Sequence, residues 1–387
     1  MVIVSCQTKF HSFALAEQID KHLALSAFFT TYAYQKNKNL RLFAKRIDKE
    51  IININKINTN ILGAIKVKLI SDNYKNAQYF DKWVSKKIDK LDNCKIFIGW
   101  SSMSLESIQV AKSKGMLTIL ERGSTHISFQ NDILKTEYSK FNKNFSIDNR
   151  IIDKELKEYE QVDFISIPSN FVKETFVKHG ISQNKLFVNN YGVSKYFKID
   201  NHYTRNSKFT ILYLGTISIR KGLFYFFEAL SKLNININNF EVLFIGAIDD
   251  EMKPIINKYF QSNWKFIGHV NHYELSNWIK KSDIAIQPSI EEGLSMVIPQ
   301  ILSCGIPVIA TTNTGGGEFI IDGFNGYIIP ICNPLIIREK INLLYYDRKL
   351  LNDIKLNLIN SSMNGLQWDE YGDRYINFLN KIIINEK

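Results

Sequence analysis

Residues 288–308 bring a carboxylate and a glycine to the start of a predicted helix, directly after a predicted strand. The apolar residues 284–286 are typical of a buried strand. Glu292 and Gly293 follow in a turn, and the apolar residues 296–303 then indicate a short helix. At the carboxyl end of a parallel strand, such a turn is placed to hold a polar ligand. Its free backbone N–H groups suit a phosphate or the hydroxyl groups of a sugar.

A pair of cations lies in a second turn of the same kind. Arg220 and Lys221 follow the predicted strand 209–215 and precede a helix that runs through Leu230. Two cations beside a helix start would suit a diphosphate leaving group, because negative charge builds up there as its bond breaks. The alternative is that both side chains are simply solvated.

The first of these segments closely resembles the donor-binding segment of family-4 retaining glycosyltransferases, which have the GT-B fold. The family has Pro-Ser, then Glu-Gly, then a second glutamate after seven intervening residues, and then Gly-x-Pro-Val. The second glutamate position holds Gln300 in this chain. The resemblance rests on the matching residues Pro288, Ser289, Glu292, Gly293, Gly305, Pro307 and Val308.

The resemblance implies which residues hold a nucleotide sugar. Lys221 matches the family's lysine that contacts the donor diphosphate, and Arg220 could replace an arginine that the family often carries nearby. Glu292 would hold the donor sugar, and Gln300 would hydrogen-bond the ribose, where the family uses glutamate. The nucleotide base would lie against the backbone beside Val270. The remaining donor-binding candidates are Gly215, Gly293, Leu294 and Ser295.

Polar residues after two predicted strands of the first half are candidates for the acceptor side of a cleft. Lys9 and His11 follow the first strand, and Arg122 and His126 follow a later one. A branch of the same family is similar in carrying Gly-Ser-x-His at this place, where the histidine lies near the donor sugar and the acceptor. We expect His126 to be catalytic together with Glu292, and Lys9, His11 and Arg122 to contact the acceptor or a phosphate. A structural role stays open for both histidines.

The alternation of strands and helices predicts an α/β protein of two domains. The resemblance implies GT-B: two Rossmann-like, doubly wound domains that face each other across a cleft. We expect an amino-terminal acceptor-side domain in residues 1–195 and a nucleotide-sugar-binding domain in 196–366. Residues 367–387 should form a helix that crosses back to the first domain. Within the first domain, the apolar spacing predicts a helix over residues 13–25.

The positive charge lies in the first half of the chain. Residues 1–200 hold 31 Lys and Arg against 20 Asp and Glu, which accounts for the whole net charge of +11. Residues 36–95 are the most basic part and read as mainly helical. An anionic membrane surface is one partner that fits this charge, and helices with solvated lysine faces are the alternative. Without an aromatic-basic module, we expect no nucleic-acid partner.

Four well-separated cysteines and the absence of a long apolar run predict a cytoplasmic protein. Cys6, Cys94, Cys304 and Cys332 have no metal-binding spacing and are expected to be reduced thiols. No apolar run reaches the roughly 18 residues of a spanning helix, and the amino terminus does not read as a signal peptide. We therefore expect a cytoplasmic protein that is peripheral on the inner face of the membrane.

The resemblance implies a hexosyl- or related glycosyltransferase that acts with retention on a glycan or lipid-linked acceptor. Its product would belong to a cell-surface polysaccharide or lipopolysaccharide. The chain contains no Asp-x-Asp sequence, and we expect no metal and no cofactor. Two alternatives remain open: a catalytically silent partner subunit that binds nucleotide, which Gln300 favours, and a GT-B nucleotide-sugar epimerase.

Overall fold

In the computed structural model, which describes residues 1–31, 52–199, 207–361 and 366–384, the chain forms two parallel β-sheets flanked by helices. Most strands of both sheets are nearly continuous apolar runs, as expected where helices cover both faces of a parallel sheet. Within these ranges, no helix is both long enough and apolar enough to cross a membrane.

The first sheet has seven strands in the order β3-β2-β1-β4-β5-β6-β7. Its strands are β1 (Val2–Ser5), β2 (Leu25–Thr30), β3 (Ile57–Thr59), β4 (Ile96–Trp100), β5 (Leu117–Glu121), β6 (Phe164–Ile167) and β7 (Leu186–Val188). The helices that accompany it are α1 (Ser12–Lys21), α2 (Ile61–Leu69), α3 (Asn73–Ile88), α4 (Leu105–Ser113), α5 (Ile127–Ser139), α6 (Asn149–Gln161) and α7 (Asn170–Lys178).

The second sheet has six strands in the order β10-β9-β8-β11-β12-β13. Its strands are β8 (Phe209–Leu214), β9 (Phe240–Ile245), β10 (Trp264–Gly268), β11 (Ile284–Gln287), β12 (Val308–Thr311) and β13 (Gly326–Ile329). Its helices are α8 (Leu223–Ser231), α9 (Lys253–Tyr259), α10 (Leu275–Lys280), α11 (Val297–Ser303), α12 (Pro334–Tyr346) and α13 (Arg348–Asn360). The last helix, α14 (Trp368–Ile384), follows α13.

The strand order reverses once in each sheet, between β1 and β4 in the first and between β8 and β11 in the second. In doubly wound sheets, ligands bind at this reversal, in the crevice outside the carboxyl ends of the strands. The loops after β1, β8 and β11 therefore lie where a ligand is expected.

Helix α14 packs on the first sheet although it follows the second sheet in sequence. Tyr375 donates a 2.6 Å hydrogen bond to Glu121 at the end of β5. A Cβ atom on Gly372 would lie 2.6 Å from the side chain of Gln18 in α1, so this glycine permits the close approach of the two helices. The chain thus passes between the two sheets twice.

The two halves also contact each other through α5 and the turn at Glu318. Phe141, just after α5, packs edge to face on Phe224 of α8, with 5.1 Å between the ring centroids. Glu318 accepts a 2.6 Å hydrogen bond from the backbone N–H of Asn170, the first residue of α7. A carboxylate from the second half therefore caps a helix of the first half.

The predicted helix over residues 13–25 is wrong at its end. Helix α1 ends at Lys21, and Leu23 has a positive φ of 56°, which breaks the helix before β2 begins at Leu25. In the basic segment, β3 is a short strand that the mainly helical prediction for residues 36–95 missed. The part of this segment before residue 52 lies outside the described residues.

We expect the buried face of α14 to stabilise the protein far more than its exposed end. Leu379 is buried against the first sheet, whereas Ile384 is exposed on the same helix. Leu379→Ala should lower the free energy of unfolding by about 2–5 kcal/mol, and Ile384→Ala by less than about 0.5 kcal/mol. Urea unfolding followed by circular dichroism measures both, and equal losses would contradict this packing.

Candidate functional site

Two loops of the second half meet at the strand reversal of the second sheet. One follows β8 and carries Arg220 and Lys221, and the other follows β11 and begins at Pro288. Gly222 has a φ of 69°, and a Cβ atom on it would lie 2.0 Å from the carbonyl oxygen of Pro288. Ile290 donates its backbone N–H to Arg220 O over 2.9 Å. Only a glycine at position 222 lets the two loops approach this closely.

Lys221 and Glu292 form an ion pair between these loops. The Lys221 Nζ lies 2.8 Å from Glu292 Oε1, and both side chains are partly exposed. Ser289 donates a 2.6 Å hydrogen bond to the same oxygen of Glu292. The pair thus presents one positive and one negative group side by side, each still accessible to a ligand.

The turn after Glu292 has backbone N–H groups that donate to no other described residue. Glu292 N donates to Asn313 O, and Ser295 N donates to Thr314 O. For Gly293 and Leu294, which lie between them, no acceptor exists for the N–H group among the described residues. Two adjacent free N–H groups beside a lysine suit the oxygen atoms of a phosphate or a sugar.

Glu291 is a functional candidate that the sequence pattern did not indicate. It is fully buried, and Arg220 Nη2 lies 2.8 Å from its Oε2. Its carboxylate also accepts hydrogen bonds from Ser124, Thr125 and Gln130 of the first half. Burial alone would raise the pKa of Glu291, but Arg220 and these donors outweigh it and the pKa is lowered. The pair Glu291-Glu292 was visible in the sequence, but nothing in the pattern showed which carboxylate turns inward.

The loop after β5 lies directly against the turn at Gly293. A Cβ atom on Gly293 would lie 2.1 Å from Gly123 O. The Ser169 hydroxyl donates a 2.6 Å hydrogen bond to Gly293 O. The structure therefore brings the predicted acceptor-side loop into contact with the predicted donor-side turn.

Arg122 is buried, and its side chain binds groups within the first half. Its guanidinium lies 3.1 Å from Glu155 Oε1, and it donates to Gln130 Oε1 over 2.8 Å and to Thr125 O over 3.0 Å. These contacts shape the loop at Gly123. A phosphate would have to compete with Glu155 for this side chain.

His126 is buried under the same loop. Its ring stacks on His179 with 4.3 Å between centroids, and Phe176 and Tyr159 contact it as well. Its Nδ1 accepts a hydrogen bond from the N–H of Ser128 at the start of α5. Burial, then His179 and Arg122, lowers the pKa of His126 to about 3, so the ring is neutral near pH 7.

The loop after β1 carries the other two acceptor-side candidates. His11 Nε2 lies 2.9 Å from Glu121 Oε2, and the His11 ring packs 4.3 Å from the ring of Tyr191. Lys9 is exposed. Burial, and then the charge of Lys9, lowers the pKa of His272 in the second half. Lys9 therefore lies near the edge of the second half.

The remaining donor-side candidates follow β8 and β10 or lie in α11. Gly215 ends β8 with a φ of 145°, and Val270 is partly buried just after β10. Gln300 is buried in α11, and its side chain has no hydrogen-bond partner among the described residues. In the same ranges, no group of three or more His, Cys, Asp or Glu is arranged to hold a metal ion.

Comparisons with known proteins agree with this geometry. Residues 195–360 match the family model described as glycosyl transferases group 1. Over 130 residues, the chain is 29% identical to the uncharacterized glycosyltransferase MJ1178 of Methanocaldococcus jannaschii, covering 34% of this chain and 36% of that one. Over 237 residues, it is 24% identical to the capsular polysaccharide biosynthesis glycosyltransferase CapM of Staphylococcus aureus, covering 56% and 62%. The match thus spans less than two thirds of either relative.

A solved structure resembles the whole chain. The structure of Anabaena HepE in complex with UDP and glucose covers 98% of this chain and 99% of its own, with a TM-score of 0.70 and 14% identity. This likeness concerns the fold, and it confirms the expected GT-B architecture of two α/β domains. The expected relationship to glycosyltransferases is confirmed as well.

We expect His126 to make the protein sensitive to acid. Its pKa is about 3 in the folded protein against an ordinary value of 6.5, so below pH 6.5 the unfolded chain binds a proton that the fold excludes. Stability is therefore lost as the pH falls from 6.5 towards 3. His126→Asn keeps an acceptor at the helix start and should lose less stability over this range.

Thermal unfolding between pH 4 and pH 8 measures this difference. The exposed His269 gives a matched control, because His269→Asn should retain the pH dependence of the wild type. Parallel curves for the wild type and His126→Asn would contradict the buried, neutral state of His126.

Proposed function

We propose, from the match of residues 195–360 to the family model described as glycosyl transferases group 1, that the protein is a glycosyltransferase. It takes a sugar from a nucleotide-sugar donor and transfers it to a glycan or lipid-linked acceptor, with retention of anomeric configuration and without a metal ion. The nucleoside diphosphate is the leaving group.

The ion pair of Lys221 and Glu292 is the observation that carries this proposal. Lys221 Nζ lies 2.8 Å from Glu292 Oε1. The N–H groups of Gly293 and Leu294, the next two residues, have no acceptor within the described part of the chain. A diphosphate bound here would meet the lysine and these two donors, which stabilise the negative charge that develops as the sugar leaves. Glu292 would turn from Lys221 towards the hydroxyl groups of the donor sugar.

The rest of the nucleotide follows the carboxyl edge of the second sheet. Gln300, whose amide has no partner among the described residues, would hydrogen-bond the ribose. The base would lie beside Val270, and Gly215 would leave room for the phosphates. The amide oxygen of Gln300 would accept a hydrogen bond from a ribose hydroxyl less strongly than a carboxylate would. The glutamine would therefore weaken nucleotide binding without removing the contact.

The acceptor would enter from the loops of the first half. The loop of Gly123 contacts the turn at Gly293, and Lys9 is exposed near the second half. We propose that Lys9 and His11 bind the acceptor or its phosphate. Arg122 and the neutral His126 would hold the loop of Gly123 in the shape that fits the donor sugar and the acceptor.

The similarity to a capsular polysaccharide glycosyltransferase supports a role in the synthesis of a cell-surface polysaccharide or lipopolysaccharide. A lipid-linked acceptor would lie at a membrane, so we propose a protein of the cytoplasm that is peripheral on the inner face of the membrane. Exposed leucines on α2, Leu62 and Leu69, lie among the lysines of the basic first half. A helix of this kind can lie on an anionic surface.

We expect one class of nucleoside diphosphate to raise the melting temperature. UDP, GDP, ADP and dTDP, and their sugar derivatives, are screened with magnesium and with EDTA. A ligand at 100 times its dissociation constant should add about 2.7 kcal/mol of stability, equally in both conditions. Lys221→Met should weaken the diphosphate by about 10-fold or more, since a charged hydrogen bond is lost.

A surface lysine of the same domain provides the control. Lys232 pairs with Glu228 on the exposed face of α8, and Lys232→Met should bind like the wild type. If no nucleotide shifts the melt, the transferase proposal fails. If nucleotides bind but Glu292→Gln retains full transfer, the role of Glu292 is wrong. Binding without transfer to any acceptor would favour the silent-subunit alternative, and a shift that needs magnesium would contradict metal independence.

We expect the exposed leucines of α2 to support binding to anionic vesicles. Leu62→Glu together with Leu69→Glu should reduce cosedimentation with vesicles of phosphatidylcholine and phosphatidylglycerol by several-fold, because it removes apolar contact and adds negative charge. Leu356 and Ile359 of α13 are similarly exposed, and their change to Glu is the matched control. Wild-type protein that does not sediment with these vesicles would refute the membrane contact.

A further inference from the structure

We propose that Glu291 is a positioning residue that aims Arg220 at the diphosphate, and that it does so only when the two domains are in contact. The inference rests on the proposed function, because it concerns the leaving group of the same reaction. Glu291 itself would touch neither sugar nor phosphate, since its side chain is fully buried.

One edge of the Arg220 guanidinium is bound by Glu291, and another edge is accessible to a ligand. Its Nη2 lies 2.8 Å from Glu291 Oε2, and its Nε donates to Glu291 O over 3.2 Å. Its Nη1 has no acceptor among the described residues, and 37% of the side chain is exposed. The guanidinium is thus held in one plane with a free N–H edge. An arginine fixed in this way is prepared to bind a phosphate oxygen without a further loss of side-chain freedom.

The other contacts of Glu291 come from the opposite domain. Its Oε1 accepts from the Ser124 hydroxyl over 2.8 Å, and from the hydroxyl and the backbone N–H of Thr125 over 2.6 Å and 3.2 Å. Gln130 donates to its Oε2 over 3.1 Å. If the two domains separated at the loop of Ser124 and Thr125, the Glu291 carboxylate would therefore lose these four hydrogen bonds.

The two sets of contacts make the position of Arg220 depend on the first domain. With the loop of Ser124 and Thr125 in place, Glu291 is desolvated, and its attraction for the guanidinium is strong. Without the loop, water would reach the carboxylate and weaken that attraction. The donor diphosphate would then meet a correctly placed Arg220 only in the closed cleft, where the acceptor is also bound.

Glu291→Gln distinguishes a role of Glu291 in orienting Arg220 from a role in filling buried space. The amide keeps the size of the side chain and one oxygen acceptor, but its NH2 group cannot accept from Arg220. Arg220 should therefore lose its fixed orientation, whereas Ser124 and Thr125 can still donate to the amide oxygen. Arg220→Gln removes the cation itself, and this partly exposed position tests the same contact should Glu291→Gln fail to fold.

The test compares the nucleoside diphosphate that gives the largest melting shift, among UDP, GDP, ADP and dTDP, with its own monophosphate. Calorimetric titration of the wild type should show tighter binding of the diphosphate. Glu291→Gln and Arg220→Gln should each weaken the diphosphate by about tenfold, the value of one charged hydrogen bond, and leave the monophosphate within about twofold. The double variant should be no weaker than either single variant, because both changes remove one contact.

Glu228→Gln, on the exposed face of α8, is the matched control and should bind like the wild type. If Glu291→Gln has the same ratio of diphosphate to monophosphate affinity as the wild type, Glu291 has a purely structural role and the inference is wrong. Additive losses in the double variant would also overturn the inference. If the wild type binds none of the four diphosphates, the proposed function fails and the inference fails with it.

Discussion

The site depends on backbone segments that approach each other more closely than side chains would allow. Gly222 lies against the carbonyl group of Pro288, and Gly293 lies against that of Gly123. The first contact joins the loops after β8 and β11 in the second domain, and the other joins the two domains. A methyl group at either position would meet a backbone oxygen at about 2 Å, so the loops would have to separate. The cations and carboxylates are placed by these contacts.

Much of the second domain could be predicted from the sequence, for physical reasons. Its strands are short apolar runs, and four of them, β8 to β11, end at or just before a glycine or Pro-Ser. Such runs are typical of buried parallel strands. The expected helix over residues 296–303 begins one residue later, at Val297. The turn at Glu292 was identified by its motif. The ion pair between Lys221 and Glu292 was not predicted, because the two residues are distant in sequence. They are brought together only because β8 and β11 are neighbours in the sheet.

The first domain was less predictable, and so were the contacts between the domains. Strand β2 was missed because its apolar residues continue the spacing of α1, and only the positive φ of Leu23 separates them. Glu291 could not be told apart from Glu292, since burial of a carboxylate depends on partners such as Ser124 that lie far away in sequence. For the same reason, the sequence could not distinguish a catalytic from a structural role for His126, whose ring is enclosed by His179 and Phe176.

The cap that Glu318 places on α7 has a consequence for cooperativity. The first N–H of that helix, on Asn170, is satisfied by a carboxylate of the other domain. If the second domain unfolded alone, the first N–H of α7 would lose its acceptor Glu318, and Phe141 would lose its contact with Phe224. The separate unfolding of one domain therefore carries a penalty in the other, and the two domains should behave as one thermodynamic unit. A ligand that binds only to the second domain would, through this coupling, also protect the amide protons of the first.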